Sequence, residues 1–358
     1  MTRPPLVENI LAQGVSLPVA AGYHFGAGME SLRRAAELVR AAGQVVIAGM
    51  GASQFASIAL GCSLAQHGIT ASVIEASELL YYGFPAVSSA TCVIAVSRSG
   101  ESVEIVKLLP ILRAQGASII AVTNDPASSL ARSADAVLLL NCPPDQMVAI
   151  QSFTATALVL GLLGAACFGD LDRARAALSA AFEQLPAWIH STLDASKTWT
   201  GFLDPATPLY FLGRGASLAS VREAVLLMHE TAKMPAVGMS SAEFRHGPVE
   251  ALGPHFRAVV FGSPRPTAAL DLALARDLAR LGAQVRWIGP LAQLSNDAHH
   301  LELCPWNAQF PEAFANVFEI IPVQIAAYRM AELRGLPIGE FRFAPQVTTT
   351  ETGFADQP

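Results

Sequence analysis

Three clusters in this sequence have the residue types and spacing to do chemistry. The first is Ser97-Arg98-Ser99-Gly100-Glu101-Ser102, a turn rich in hydroxyls. It follows the apolar run 92–96 and precedes residues 103–109, whose apolar positions recur at helical spacing. Such a turn gathers backbone N–H groups, the positive end of a helix dipole and serine hydroxyls at one point, which suits an anion. Capping of the helix by Ser99 or Ser102 is the structural alternative. The second cluster, Gly49-Met50-Gly51-Ala52-Ser53, also closes an apolar run. Its glycines let backbone approach a ligand, though tight packing of helix on strand explains them equally well. Neither turn ends in the Gly-Lys-Ser/Thr of a nucleotide loop, and Gln54 stands where a dinucleotide fingerprint needs glycine.

The third cluster is acid–base and lies in the second half. Glu223 and Glu230 share a helical pattern whose apolar stripe is Val221, Ala224, Val225 and Met228. Glu223 reads as a solvated helix carboxylate. Glu230 precedes Thr231-Ala232-Lys233-Met234-Pro235, where the helix must end. A carboxylate there can reach a cleft and serve as a base if burial raises its proton affinity. Glu243-Phe244-Arg245-His246-Gly247-Pro248 is a polar loop closed by Gly-Pro, and its histidine titrates near neutrality. His229, His299 and His300 have weaker claims, and the last two do not read as a metal pair.

The elements that must position these groups are those of an α/β protein. The chain has 358 residues, 52% apolar and only 15% charged, which favours two domains with much buried surface. A net charge of −6 without basic runs argues against a nucleic-acid surface. The five cysteines are scattered without CxxC spacing and read as reduced core thiols, not a zinc site. No signal pattern opens the sequence, and residues 153–169 fall short of a membrane span of about 20 residues. A buried helix in a cytoplasmic protein is expected. Apolar strands alternate with helices from residue 44 onward, the mark of a parallel sheet covered on both faces.

The second half repeats the first. Ile47-Ala48-Gly49-Met50-Gly51-Ala52-Ser53 is matched 164 residues later by Phe211-Leu212-Gly213-Arg214-Gly215-Ala216-Ser217. Runs starting at Cys92 and Gly116 find partners at Arg257 and Gly282, offsets of 165 and 166. Nearly equal offsets imply two copies of one unit. The expected organisation is an arm over 1–24, domains over 25–185 and 200–345, and a tail over 346–358. Opposite the serine turn, the second copy has Gly262-Ser263-Pro264-Arg265-Pro266, whose prolines remove two donors. One anion site per chain is expected.

On these motifs, and on the closing Val347-Thr348-Thr349-Thr350-Glu351, the chain resembles the sugar isomerase (SIS) domain family over about residues 25–350. It is most similar to the double-SIS isomerase half of glutamine–fructose-6-phosphate aminotransferase and to SIS-type glucosamine-6-phosphate deaminases. The resemblance implies two tandem flavodoxin-like α/β/α domains. It implies a sugar phosphate held by Gly51, Ala52, Ser53, Ser97, Arg98, Ser99, Ser102 and Ala149. Glu230 would be the base that moves a proton between C1 and C2, and His246 would assist ring opening, reaching a neighbouring subunit's site in a homodimer. No metal, cofactor, nucleic acid or membrane partner is implied. The chain departs from the family at four places. Leu227 and Pro345 replace lysines, Ala149-Ile150-Gln151 replaces Ser-Thr-Lys, and Thr2 stands where the synthase has its glutaminase cysteine. The expected reaction is deamination or isomerisation of an amino sugar 6-phosphate. Deglycation of a fructosamine 6-phosphate, or sensing without turnover, are the alternatives.

Overall fold

The computed structural model describes residues 3–203, 208–253, 255–262, 266–290, 302–306, 310–343 and 346–351. The chain divides into two compact units, residues 15–175 with 341–358, and residues 1–14 with 176–340. The N-terminal stretch expected as an arm is a helix, α1 (Pro5–His24), with Pro18 inside it. An internal proline costs about 3 kcal/mol. Burial of Leu6, Val7, Ile10, Leu17, Ala20 and Ala21 offsets that, at about 1.5–3 kcal/mol for each large side chain.

The first-sheet unit runs α2 (Met29–Ala41), β1 (Gln44–Gly49), α3 (Ala52–Gln66), β2 (Ala71–Glu75), α4 (Ala76–Glu78), β3 (Thr91–Val96) and α5 (Val103–Ala114). It continues with β4 (Ser118–Thr123), α6 (Ser129–Arg132), β5 (Ala136–Leu139) and α7 (Gln151–Phe168). The strands are parallel in the order β2-β1-β3-β4-β5. One face buries Val46, Ala48, Val93, Ala95, Ile119 and Ala121 against Ile105, Leu108 and Leu112 of α5. Helix α7 is long and apolar enough to cross a membrane by composition, yet it is 83% buried within the protein.

Helix α8 (Leu171–Ala195) leads to the second-sheet unit, with β6 (Leu209–Gly213), α9 (Leu218–Glu230), β7 (Ala236–Ser240), α10 (Ser241–Phe244), β8 (Arg257–Phe261) and α11 (Ala268–Arg280). Strands β9 (Gln284–Pro290) and β10 (Glu302–Trp306) and helices α12 (Ala315–Glu319) and α13 (Ile321–Leu333) complete it. Its parallel order, β7-β6-β8-β9-β10, is the first sheet's order displaced by five strands. Leu274 and Leu278 of α11 pack on Ala258, Val260, Val285 and Trp287. The duplicated α/β architecture expected from the offsets is therefore present. In each sheet the strand order reverses beside the first strand, at β1/β3 and at β6/β8. Ligands of open parallel sheets sit at that crevice, beyond the carboxyl ends of the strands.

Candidate functional site

The serine turn and the Gly-x-Gly turn leave neighbouring strands, β3 and β1, at the same carboxyl edge. Helices α3 and α5 start there, and neither N-terminus carries a side-chain cap. The alternative in which Ser99 or Ser102 caps α5 is thus not realised. The turn is held by its own hydroxyls instead. Ser97 Oγ lies 3.1 Å from Ser102 Oγ and accepts from Gly100 N at 3.1 Å, while Ser99 Oγ accepts from Glu101 N at 3.2 Å. Ser97 is buried and Ser99 and Ser102 are half-buried. The carbonyl of Arg98 accepts from Asn124 N and from Thr123 Oγ1, which pins the loop to β4. Glu101 faces another task, accepting from Ser129 N at the start of α6. The turn needs glycine at 100, where φ is +66° and a Cβ would lie 2.2 Å from Ser128 Oγ.

Gly51, Ala52 and Ser53 line the adjoining turn half-exposed, with Gly51 at φ +50°. At Gly49 a Cβ would come within 2.9 Å of Gln54 N and 3.0 Å of Val96 O, so this glycine serves close packing of helix on strand. Ala149 lies in the loop before α7, which the sequence reading left without an organiser. The organiser is Asp145. Its buried carboxylate accepts from Ile150 N, Gln151 N and Ser152 N at 2.9–3.0 Å and from Ser152 Oγ at 2.6 Å, satisfying the helix start.

The C-terminal tail adds partners that the sequence did not announce. Gln346 Nε2 donates to the carbonyls of Asp145 and Gln146 at 2.8 and 2.7 Å, and its own carbonyl accepts from Arg98 at 3.4 Å. Thr348 O accepts from Val103 N at 3.1 Å, so one of the α5 donors expected to be open to a ligand is already used. Glu351 meets Lys107 Nζ and accepts from Tyr81 Oη at 2.5 Å. Hydrogen bonds from Lys107 and Tyr81 hold the Glu351 carboxyl below its usual range. Pro345 lies outside the described residues.

In the second-sheet unit, Glu230 is the half-buried last residue of α9. Helix α9 links two parallel neighbours, so it runs from the carboxyl edge of β6 back to the amino edge of β7. His246 follows α10, which leaves the carboxyl end of β7, and it is exposed. The two acid–base candidates thus belong to opposite edges of one sheet. Glu223 is not solvated as expected but 1% exposed, because α9 packs on β7 and on α12 and α13. His299 and His300 lie outside the described residues.

The second copy of the Gly-x-Gly turn keeps a positive φ, +55° at Gly215, but runs through a 3-10 turn over Gly215–Ser217, and its surroundings differ. Ser217 Oγ and Ser220 Oγ donate to Glu319 at 2.9 and 2.7 Å, and Glu319 is fully buried. Arg214 Nε lies 3.3 Å from the buried Asp271. Buried carboxylates of the protein itself thus engage the serine hydroxyls and the arginine around this turn. Residues 263–265, on which the expectation of a poorer cradle in this copy rests, lie outside the described residues.

Comparison with known proteins agrees with this architecture. Residues 38–166 match the SIS domain family. Over 353 residues the sequence is 29% identical to glutamine–fructose-6-phosphate aminotransferase (isomerizing) of Pyrobaculum aerophilum, covering 97% of this chain and 57% of that protein. The chain therefore spans little more than half the length of that relative. The fold superposes on the C-terminal domain of glucosamine-fructose-6-phosphate aminotransferase from Francisella tularensis with a TM-score of 0.81 at 20% identity, covering 94% of this chain and 98% of that one. For glucosamine-6-phosphate deaminase from Thermotoga maritima the TM-score is 0.75 at 17% identity, covering 96% and 99%. At these identities the structural likeness is one of fold.

Proposed function

We propose, from the premise that this chain carries an SIS domain at residues 38–166 and a second unit of the same topology, that it is an enzyme of the phosphosugar isomerase type. Its substrate in this reading is an amino sugar 6-phosphate. The observation that carries the reading is the pair of helix starts without side-chain caps, α3 and α5, side by side at the β1/β3 crevice with Ser97, Ser99 and Ser102 between them. Donors of that kind, preset by their own hydrogen bonds, suit a phosphate dianion. Gly51, Ala52, Ser53, Arg98 and Ala149 belong to the same grip.

The reaction we favour converts glucosamine 6-phosphate and water to fructose 6-phosphate and ammonia. Glu230 removes the proton from C2 of the open-chain form to give an enolamine and returns it to C1. The resulting imine takes up water and releases ammonia. His246 moves the proton that opens the sugar ring. Its exposure, and its place at the sheet edge opposite Glu230, favour a homodimer in which each chain lends His246 to its neighbour. A sensor that binds without turnover is the second reading, and the buried Leu227 on the helix of Glu230 favours it, since no lysine stands there.

The test supplies glucosamine 6-phosphate in D2O and follows fructose 6-phosphate, ammonia and deuterium at C1 and C2. Release of ammonia supports the deaminase, and exchange without ammonia restricts the reading to isomerisation. Binding with no exchange over many hours refutes the enzyme in favour of the sensor. Glu230→Gln should bind the sugar phosphate and lose exchange.

A further inference from the structure

Lys233 has a backbone that lysine rarely adopts. Its φ is +52°, and Asn141 is the only other non-glycine with positive φ among the described residues. Asparagine tolerates that region through its short polar side chain, whereas lysine gains nothing local from it. A helix ending through a left-handed residue ordinarily uses glycine there. What the lysine adds is its ammonium. Nζ donates to the carbonyl of Glu230 at 2.5 Å and to the carbonyl of Glu340 at 2.6 Å. The first is the last helical carbonyl of α9, at the negative end of its dipole, where a cation is favoured. The second closes the second-sheet unit just before the chain enters the tail. Beside it, Thr231 N and Met234 N return to the carbonyls of Leu227 and Met228, so the whole turn folds back on the helix end.

We propose that Lys233 is the positioning residue for Glu230. Its ammonium clasps the end of α9 to the segment at Glu340, fixing the backbone from which the Glu230 carboxylate projects. This inference rests on the reading of Glu230 as the base. A base that must meet C2 and then C1 tolerates little drift, since a displacement of about 1 Å can cost about 100-fold in rate. From that φ the long cationic side chain reaches both carbonyls.

Three variants test the clasp, each read by hydrogen exchange of backbone amides and by deuterium exchange into glucosamine 6-phosphate. Lys233→Gly relieves the backbone and removes the ammonium, Lys233→Met removes the ammonium alone, and Lys233→Arg keeps a cation. We expect Lys233→Gly and Lys233→Met to lose amide protection at Thr231 and Met234 and to slow substrate exchange about 10- to 100-fold, with KM within about twofold. Lys233→Arg should restore both. Wild-type amide protection at Thr231 and Met234 in Lys233→Gly overturns the clasp, whatever the protein does with the substrate. Lost protection with an unchanged exchange rate refutes its positioning role. A wild-type protein without exchange on the sugar phosphate overturns the role of Glu230 itself, while the amide arm still decides whether the clasp exists.

Discussion

Gly100→Ala is the substitution to which the proposed phosphate grip is most exposed. Two costs add at this position. At φ +66° an L-residue is strained by about 1–2 kcal/mol. The new methyl would also lie 2.2 Å from Ser128 Oγ, 2.5 Å from Ser128 Cβ and 3.0 Å from Thr123 Oγ1. Ser128 cannot swing aside freely, because it is buried and its Oγ donates to Asp125 O while accepting from Ala131 N to cap α6. Overpacking of this kind costs about 1–3 kcal/mol. The sum, about 2–5 kcal/mol, is a large part of the 5–15 kcal/mol that holds a typical domain. The least costly relief is movement of the turn itself, which breaks the bonds from Gly100 N to the carbonyl and hydroxyl of Ser97. Stability and phosphate binding should therefore fall together. The control is Gly68→Ala, at φ +79° with nothing within 4 Å of its Cβ, which carries the conformational cost alone. Urea denaturation and calorimetric titration with glucosamine 6-phosphate, well below the melting temperature, read the two effects. We expect Gly100→Ala to lose at least 1 kcal/mol more than Gly68→Ala and to bind about tenfold or more weakly. If the two variants are equally stable and both bind like the wild type, the turn is not the rigid cradle described here.

Three further outcomes follow from the same geometry. Asp145→Asn leaves one oxygen and one amide where four donors converge, so unfolding should become easier by about 2–4 kcal/mol, and a wild-type urea midpoint would refute the capping role. Burial pushes Cys92 and Cys142 up to about 12 and Cys167 to about 11, so iodoacetamide at neutral pH should modify them only after unfolding. Mass spectrometry reads this, and rapid labelling of Cys142 in the folded protein would contradict it. The Glu351 carboxyl is held below its ordinary value of 4.5, so its contribution is complete above that value and disappears as pH falls through the lowered one. Protection of the Val103 amide, which Thr348 O accepts, should fall over that acid range, and Glu351→Gln should show the same loss at neutral pH.

What was legible in the sequence follows from how local each signal is. Strands buried on both faces appear as unbroken apolar runs, so 44–48, 92–96 and 118–122 were readable, and the near-constant offset exposed the duplication. Helix α1 was not readable, because Pro4, Pro5 and Pro18 signal a break while the burial that overrides them depends on tertiary packing. Glu223 looked solvated because periodicity finds one apolar stripe and cannot see a second packed face. Gln346 lies about 200 residues from the carbonyls of Asp145 and Gln146 that it meets, and neither residue type at its position announces the other.

The second sheet differs from the first at the matching turn. A Gly-x-Gly turn, a helix start and a serine hydroxyl recur at the matching place, and φ is positive and alike at Gly51 and Gly215. Those features concentrate positive potential whether or not a ligand arrives, and the buried donors need an acceptor. In the first-sheet unit the turn stays half-exposed, which suits the anion site proposed there. In the second, Glu319 supplies the acceptor to Ser217 and Ser220, and Asp271 balances Arg214. A buried carboxylate in that position fixes the start of α9 from within the protein, as Lys233 fixes its end. The start of α9 is thereby tied within the second-sheet unit, with Glu230 at the far end of that helix.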